Sequence, residues 1–245
     1  MDSPSNPFYL SSSNELPDFW AGNFLLVDKP YGLSSFKIVH EIRKAITSRS
    51  NRKLKIGHAG TLDPLASGLL ILATGKRTSE LSLFQDLEKT YEGRLRLGFT
   101  RASYDMESEI SGSYVVPEKS DAQIEFIRNS LTGLIKIPPP LHSAVKLGGK
   151  RAYKLARAGS DVQLEPKEML IKEFALDISH YPEILFKVVC SKGTYIRSLA
   201  HEFGHRMGCG AYLSALSRTA IGTYTIAQSW NFKVLLHRLY ESNQR

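Results

Sequence analysis

The stretch Gly57-His58-Ala59-Gly60-Thr61-Leu62-Asp63-Pro64-Leu65-Ala66-Ser67-Gly68, running on into Leu69-Leu70-Ile71-Leu72-Ala73-Thr74, constrains this chain more than any other. Three glycines and a proline within a dozen residues force a specific loop conformation. Glycine opens backbone angles closed to other residues, and proline locks φ near about −65°. The loop feeds directly into Gly68–Thr74, a continuous apolar run suited to a strand buried on both faces. It therefore holds Asp63 with apolar neighbours on either side. An Asp before Pro is commonly only a turn residue. A carboxylate fixed beside an apolar floor is also what a base or nucleophile at a sugar requires. Both readings stay open on this segment alone.

Around this loop the pattern predicts strands and helices without a regular βαβ beat. Residues 1 to about 20, rich in Ser, Asn and Pro, read as a loosely held tail, with order beginning at Asn23–Val27. Ser34 or Ser35 caps a helix whose buried stripe is read as Phe36, Val39, Ile42 and Ile46, leaving Lys37, Arg43 and Lys44 for water or phosphate. Lys89–Phe99 alternates as a strand, with Tyr91, Leu95, Leu97 and Phe99 on one face. Ser120 and Gln123 pair ahead of a helix through Ile124, Ile127 and Leu131 that stops at Gly133. Strands follow near 169–179 and 184–191. A helix spans about Thr194–Met207, and a closing helix lies within Asn231–Tyr240. The fold class is α+β, a central mixed and largely antiparallel sheet flanked by helices and loops.

The chain of 245 residues carries 32 Lys and Arg against 24 Asp and Glu, a net charge of +8 that suits a polyanionic partner as well as an unspecialised basic surface. Residues 136–168, with seven basic and three acidic side chains, read as an excursion from the core. Its Lys146, Lys150, Arg151 and Lys154 could grip an RNA backbone or simply face solvent. Two cysteines exclude a disulfide framework and a cysteine-rich zinc site, and point to a reduced cytoplasm. No apolar run reaches the ~20 residues of a membrane span, and the N-terminus lacks the basic start of a signal or transit peptide.

Three further constellations carry chemistry. In Cys190-Ser191-Lys192-Gly193-Thr194-Tyr195-Ile196-Arg197 a strand passes into a helix, and Arg197 sits in the first turn, where the helix dipole gains nothing from a cation. A buried carboxylate is its natural partner, an exposed position the plainer alternative. In Lys89-Thr90-Tyr91 the ring could stack on a nucleobase or serve the core. His201-Glu202-Phe203-Gly204-His205 matches the zinc-protease helix motif H-E-x-x-H. It offers Ala211 where a third histidine would stand, and Gly204 weakens the helix between the imidazoles.

The stretches LLVDKPYGLSS, GHAGTLDPLASGLL, EKTYEGRLRLG, CSKGTYIRSLA and GCGAYLSALSR, in this order between about residues 23 and 222, resemble the TruB family of tRNA pseudouridine synthases. The resemblance implies the pseudouridine synthase fold, isomerisation of the uridine at position 55 in the T arm of tRNA, and no cofactor or metal. It implies that Asp63 is the catalytic carboxylate, that Tyr91 stacks on the flipped uracil, and that Arg197 pairs with Asp63. Leu216 would pack beside that pair, His58 would lie near displaced T-loop bases, and Tyr195 would line the pocket. Lys29 and Arg218 are expected to contact RNA, and residues 136–168 to form a thumb. The expected organisation is a tail over 1–20, a catalytic domain over 21–245, and no C-terminal RNA-binding module of PUA type. A monomer with tRNA as partner, and neither a protein nor a membrane partner, is the expectation. A binding module of the same fold without catalysis, and a guide-RNA-dependent relative, are the alternatives.

Overall fold

A computed structural model of the chain describes residues 16–48, 50, 52–141, 146–147, 150–151 and 164–242. Two compact units emerge, one formed by residues up to Lys89 with those from Ser217 onward, the other by Thr90–Leu216.

The first unit begins with β1 (Phe24–Lys29), α1 (Ser35–Thr47), β2 (Ile56–His58), β3 (Ala66–Thr74) and the short α2 (Leu81–Gln85). Strands β1 and β3 pair antiparallel from Phe24↔Ala73 to Lys29↔Gly68, and β2 pairs antiparallel with β3. Their alternation explains the apolar run. Leu25, Val27, Leu70 and Leu72 face one core, and Phe24, Leu26, Leu69, Ile71 and Ala73 face another. A strand buried on both faces has no position for a polar residue, which is why the run is unbroken. Ser34 caps α1, its side chain accepting from Lys37 N at 3.1 Å. The buried stripe of α1 is Ser35, Ile38, Val39, Ile42, Ala45 and Ile46. Each large aliphatic of that stripe contributes about 2 kcal/mol by leaving water. Phe36, read as part of the stripe, is instead 73% exposed. Packing also begins earlier than Asn23: Phe19 is buried, and Leu16 and Trp20 pack against the same core.

The second unit runs through β4 (Lys89–Leu97), β5 (Phe99–Arg101), β6 (Ile110–Ser113), α3 (Asp121–Ser130) and β7 (Gly133–Ile137). The backbone of β8 (Lys146–Leu147) and β9 (Lys150–Arg151) follows, then β10 (Lys167–Asp177), β11 (Glu183–Cys190), α4 (Ile196–Arg206) and β12 (Ala211–Ile221). Strand β4 ends at Leu97, so Phe99 belongs to a separate β5–β6 hairpin rather than to the alternating strand. Strands β12, β4, β11, β10 and β7 are neighbours in that order. The β10–β11 and β10–β7 pairs are antiparallel, and the register Lys167↔Ile137 sets residues on either side of 138–166 opposite one another. Helices α3 and α4 cover this sheet with Ile124, Ile127, Leu199 and Phe203 in one core.

The chain returns to the first unit at Ser217, still within β12. It then adds β13 (Tyr224–Thr225), β14 (Trp230–Asn231) and α5 (Phe232–Ser242). Strand β14 pairs parallel with β1, and α5 packs Leu235 and Leu239 into the core shared with α1. The mixed sheet with flanking helices is the α+β architecture expected. No described helix is long and apolar enough to cross a membrane.

Candidate active site

Asp63 lies half-buried on the loop between β2 and β3, and buried groups of the first unit fix that loop from several sides. The hydroxyl of Ser35, at the start of α1, accepts from Leu62 N at 2.9 Å and donates to Leu62 O at 3.0 Å. Gly32 N donates to Pro64 O at 2.8 Å, and Ala66 N closes a turn on Asp63 O at 3.1 Å. The Lys29 ammonium is fully buried and donates to the carbonyls of Pro30 (3.0 Å), Leu33 (2.6 Å) and Pro64 (3.4 Å). Arg218, 1% exposed, donates through Nε to Leu69 O at 2.8 Å and through Nη2 to Gly60 O at 3.1 Å. The carboxylate is thus carried on a backbone whose carbonyls are tied to two buried cations.

This frame corrects two assignments. Lys29 and Arg218 were expected on RNA, yet both are buried and committed to main-chain carbonyls of the loop and strand around Asp63. A cation held this way fixes geometry and supplies local positive potential. It is not a surface phosphate contact. Burial pushes the Lys29 pKa down to about 8, opposed by the Asp63 charge and helped by the Arg218 charge. His58 closes β2 half-buried, and burial is the main cause that lowers its pKa.

The second unit holds the other residues. Arg197, in the first turn of α4, is buried and lies 3.7 Å from the Asp105 carboxylate, with Nη1 donating to Ser103 O at 3.1 Å. The buried carboxylate that the helix position called for is present in this unit as Asp105. Residues 101–108 form the turn that offers both groups. Ser103 and Ser108 hydroxyls lie 2.8 Å apart, Asp105 Oδ1 accepts from Glu107 N at 3.0 Å, and Arg101 donates to Ser108 O. Tyr104 takes φ +62° in this turn, and its ring stacks on His201 with centroids 3.9 Å apart and planes 9° apart. None of Ser103, Tyr104 and Asp105 was picked out from the sequence. The one signal was Arg197 itself, which demanded a carboxylate without saying which.

Tyr91 on β4 and Leu216 on β12 are partly buried against the core of this unit, and Tyr195 is the residue before α4. Of Lys146, Lys150 and Arg151 the structure describes the backbone alone, and Lys154 lies outside the described residues. In the H-E-x-x-H segment His201 is engaged by Tyr104 while His205 is exposed. Gly204 is required by packing, since a Cβ there would stand 2.1 Å from Ala211 N. Among the described residues no group of three or more His, Cys, Asp and Glu is placed to hold a metal ion.

A family model described as TruB family pseudouridylate synthase (N terminal domain) matches residues 44–196. The chain is 43% identical over 211 residues to the tRNA pseudouridine synthase B of Flavobacterium johnsoniae, covering 85% of this chain and 92% of that one. It is 42% identical over 219 residues to the protein of that name from Chlorobaculum tepidum, covering 89% and 91%. Among solved structures, that of a Cbf5-Nop10-Gar1 complex aligns with a TM-score of 0.70 at 24% identity, covering 100% of this chain but 64% of the other. That likeness shows the fold, over less than two thirds of the neighbour's length. The chain belongs to the TruB family of pseudouridylate synthases and is an isomerase.

Proposed function

We propose that this enzyme isomerises the uridine at position 55 in the T arm of tRNA to pseudouridine, with Asp63 as the catalytic carboxylate. The observation that carries the reading is the frame around Asp63, a half-buried carboxylate whose loop is tied at Gly60, Leu62 and Pro64 to Arg218, Ser35 and Lys29. A group held within a narrow range of positions is what attack on, or deprotonation at, a sugar demands. The family relatives named for tRNA pseudouridine synthesis support tRNA as the substrate.

The reaction breaks the N1–C1′ bond, turns the base and forms C5–C1′, without redox change. The proton leaves C5 and N1 gains one, so atoms balance with no second substrate. The Asp63 carboxylate serves either by attacking C1′ or by removing the C2′ proton. The uridine must first leave its stack, at a cost of about a few kcal/mol. In this reading Tyr91 stacks on the flipped uracil and Arg197 pairs with Asp63. Leu216, Tyr195 and His58 line the site, and the basic residues of 136–168 meet the RNA backbone.

The test is tritium release from C5-labelled uridine in a T-arm RNA, using wild type, Asp63→Asn and wild type with EDTA. Release from wild type, unaffected by EDTA and absent with Asp63→Asn while RNA binding persists, is the expected result. Equal release from Asp63→Asn would remove Asp63 from the catalysis, and loss of its RNA binding would make it a structural residue.

A further inference from the structure

We propose that the outer face of α1 is a substrate subsite, where Phe36 stacks on an unpaired RNA base and Lys37 and Lys44 meet neighbouring phosphates. The proposal rests on the reading of the chain as an RNA-modifying isomerase and assigns part of the RNA a place on it. One side of α1 is spent on the core through Ile38, Val39, Ile42, Ala45 and Ile46. The other side presents Phe36 at 73% exposure, with its ring stacked on the exposed His40 at 6.4 Å and 23°. Tyr31, in the turn before the helix, is 56% exposed.

A single exposed apolar side chain on a surface is ordinary. Here an exposed ring and an imidazole share a helix face with Lys37 and Lys44, and Glu41 lies 2.6 Å from Lys37. Rings set among cations fit a nucleic acid, because every base has a π-face and every nucleotide a phosphate. Lys37 already has Glu41 as a counter-charge, and an apolar protein partner would bring none for Lys44.

Position strengthens the assignment. The turn carrying Tyr31 leads into α1 through groups bonded to the Asp63 loop. Gly32 N bonds Pro64 O at 2.8 Å, Lys29 joins Leu33 O to Pro64 O, and Ser35 brackets Leu62. Within the first unit, the aromatic and basic face and the candidate catalytic carboxylate are therefore parts of one hydrogen-bonded frame. An RNA whose uridine reaches Asp63 has flanking nucleotides that need a surface, and this face supplies rings and charge there.

The experiment measures equilibrium binding of a T-arm hairpin RNA to the full chain across a salt series. The proteins are wild type, Phe36→Ala, Phe36→Trp and the double variant Lys37→Ala/Lys44→Ala, with tritium release measured in parallel. Phe36→Ala should weaken binding roughly tenfold, the scale of one lost stacked base, with Phe36→Trp restoring it. Its salt slope should stay that of wild type, and its cost should fall on KM rather than kcat. The double lysine variant should instead flatten the salt slope by about one to two. Phe36 lies in water, so the variants should melt with wild type. Wild-type affinity in Phe36→Ala, alongside tritium release by wild type, overturns the subsite and leaves the isomerase reading standing. Weakened binding by Phe36→Ala in a protein that releases no tritium from this RNA supports the subsite and sinks the assignment of the T-arm uridine as the target. Unchanged RNA binding with loss of self-association in Phe36→Ala would reassign the face to a second copy of the chain.

Discussion

Arg197 and Asp105 stand 3.7 Å apart with both side chains 6% exposed, so the second unit buries an ion pair between the first turn of α4 and the 101–108 turn. Removing one member of such a pair costs far more than the pair itself is worth, because the remaining charge keeps its desolvation penalty. Asp105→Ala should lower unfolding free energy by about 3 kcal/mol in a urea titration. Asp105→Asn, which keeps an acceptor oxygen, should lose less. The tritium assay on the folded Asn variant should show a rate loss larger than its loss of RNA affinity, since Arg197 is proposed to act at the catalytic carboxylate. Equal stability of wild type and Asp105→Ala would show that the pair is not what holds Arg197.

Lys29 makes stability depend on pH in a definite direction. Its pKa falls from the ordinary 10.5 to about 8 in the folded chain, chiefly by burial. Between those values the unfolded chain binds more protons at this residue than the folded one, so this contribution strengthens folding as pH rises. It is fully present above the unfolded pKa and is lost as pH falls through the folded one. Between pH 7.5 and 9.5, wild type should gain about 2 kcal/mol over Lys29→Met, read as the difference of two urea titrations at each pH. A difference that stays constant or shrinks with pH would mean that Lys29 keeps its ordinary affinity for protons.

Gly68 adopts φ +107° where β3 passes β12, and a Cβ there would stand 2.4 Å from the Arg218 carbonyl oxygen and 2.7 Å from its nitrogen. Both the backbone angle and the contact with main-chain atoms forbid a simple adjustment. Gly68→Ala should cost about 3 kcal/mol in stability, as strain and overpacking add. It should also lower activity through displacement of Arg218 from Gly60 O. A urea midpoint within error of wild type would show that β12 can move aside.

Much of this architecture was legible because its signals are local. The two-faced apolar run, the α1 cap at Ser34 or Ser35, the Ser120 cap and the span of α4 each follow from residues a few positions apart. Phe36 shows where a local pattern misleads. At about 100° per residue it lies about 120° from the centre of the stripe set by Ile38, Val39, Ile42, Ala45 and Ile46, although it is three residues from Val39. Strand β12 was missed because Ala, Ser and Arg have little strand preference of their own, and pairing with its neighbours decides its state. At the site, the glycine and proline pattern singled out Asp63, but the partners of the buried cations were not readable. Lys29 bonds Pro64 across 35 positions, Arg218 reaches Leu69 across 149, and Arg197 meets Ser103 across 94. Lys29 and Arg218, basic side chains in a basic protein, read as surface groups until the fold shows what surrounds them.

The two histidines of H-E-x-x-H should behave differently, which separates packing from metal binding. Arg197, His201 and His205 are spaced four apart along α4. Arg197 engages the 101–108 turn through Ser103 and Asp105, and His201 engages it through Tyr104. Burial is the main cause that lowers the His201 pKa, so the neutral ring is the form favoured in the stack. Tyr104 holds φ +62°, a conformation costing a non-glycine residue about 1 kcal/mol, and an aromatic stack of about that value offsets it. His201→Ala should therefore lose about 1 kcal/mol of stability and His201→Phe should recover it, while the exposed His205→Ala stays within about 0.5 kcal/mol of wild type. EDTA and added zinc should leave all three melting curves unchanged. A metal held by the pair would make the two alanine variants equivalent and let EDTA reproduce them, and that outcome would restore the zinc-helix reading.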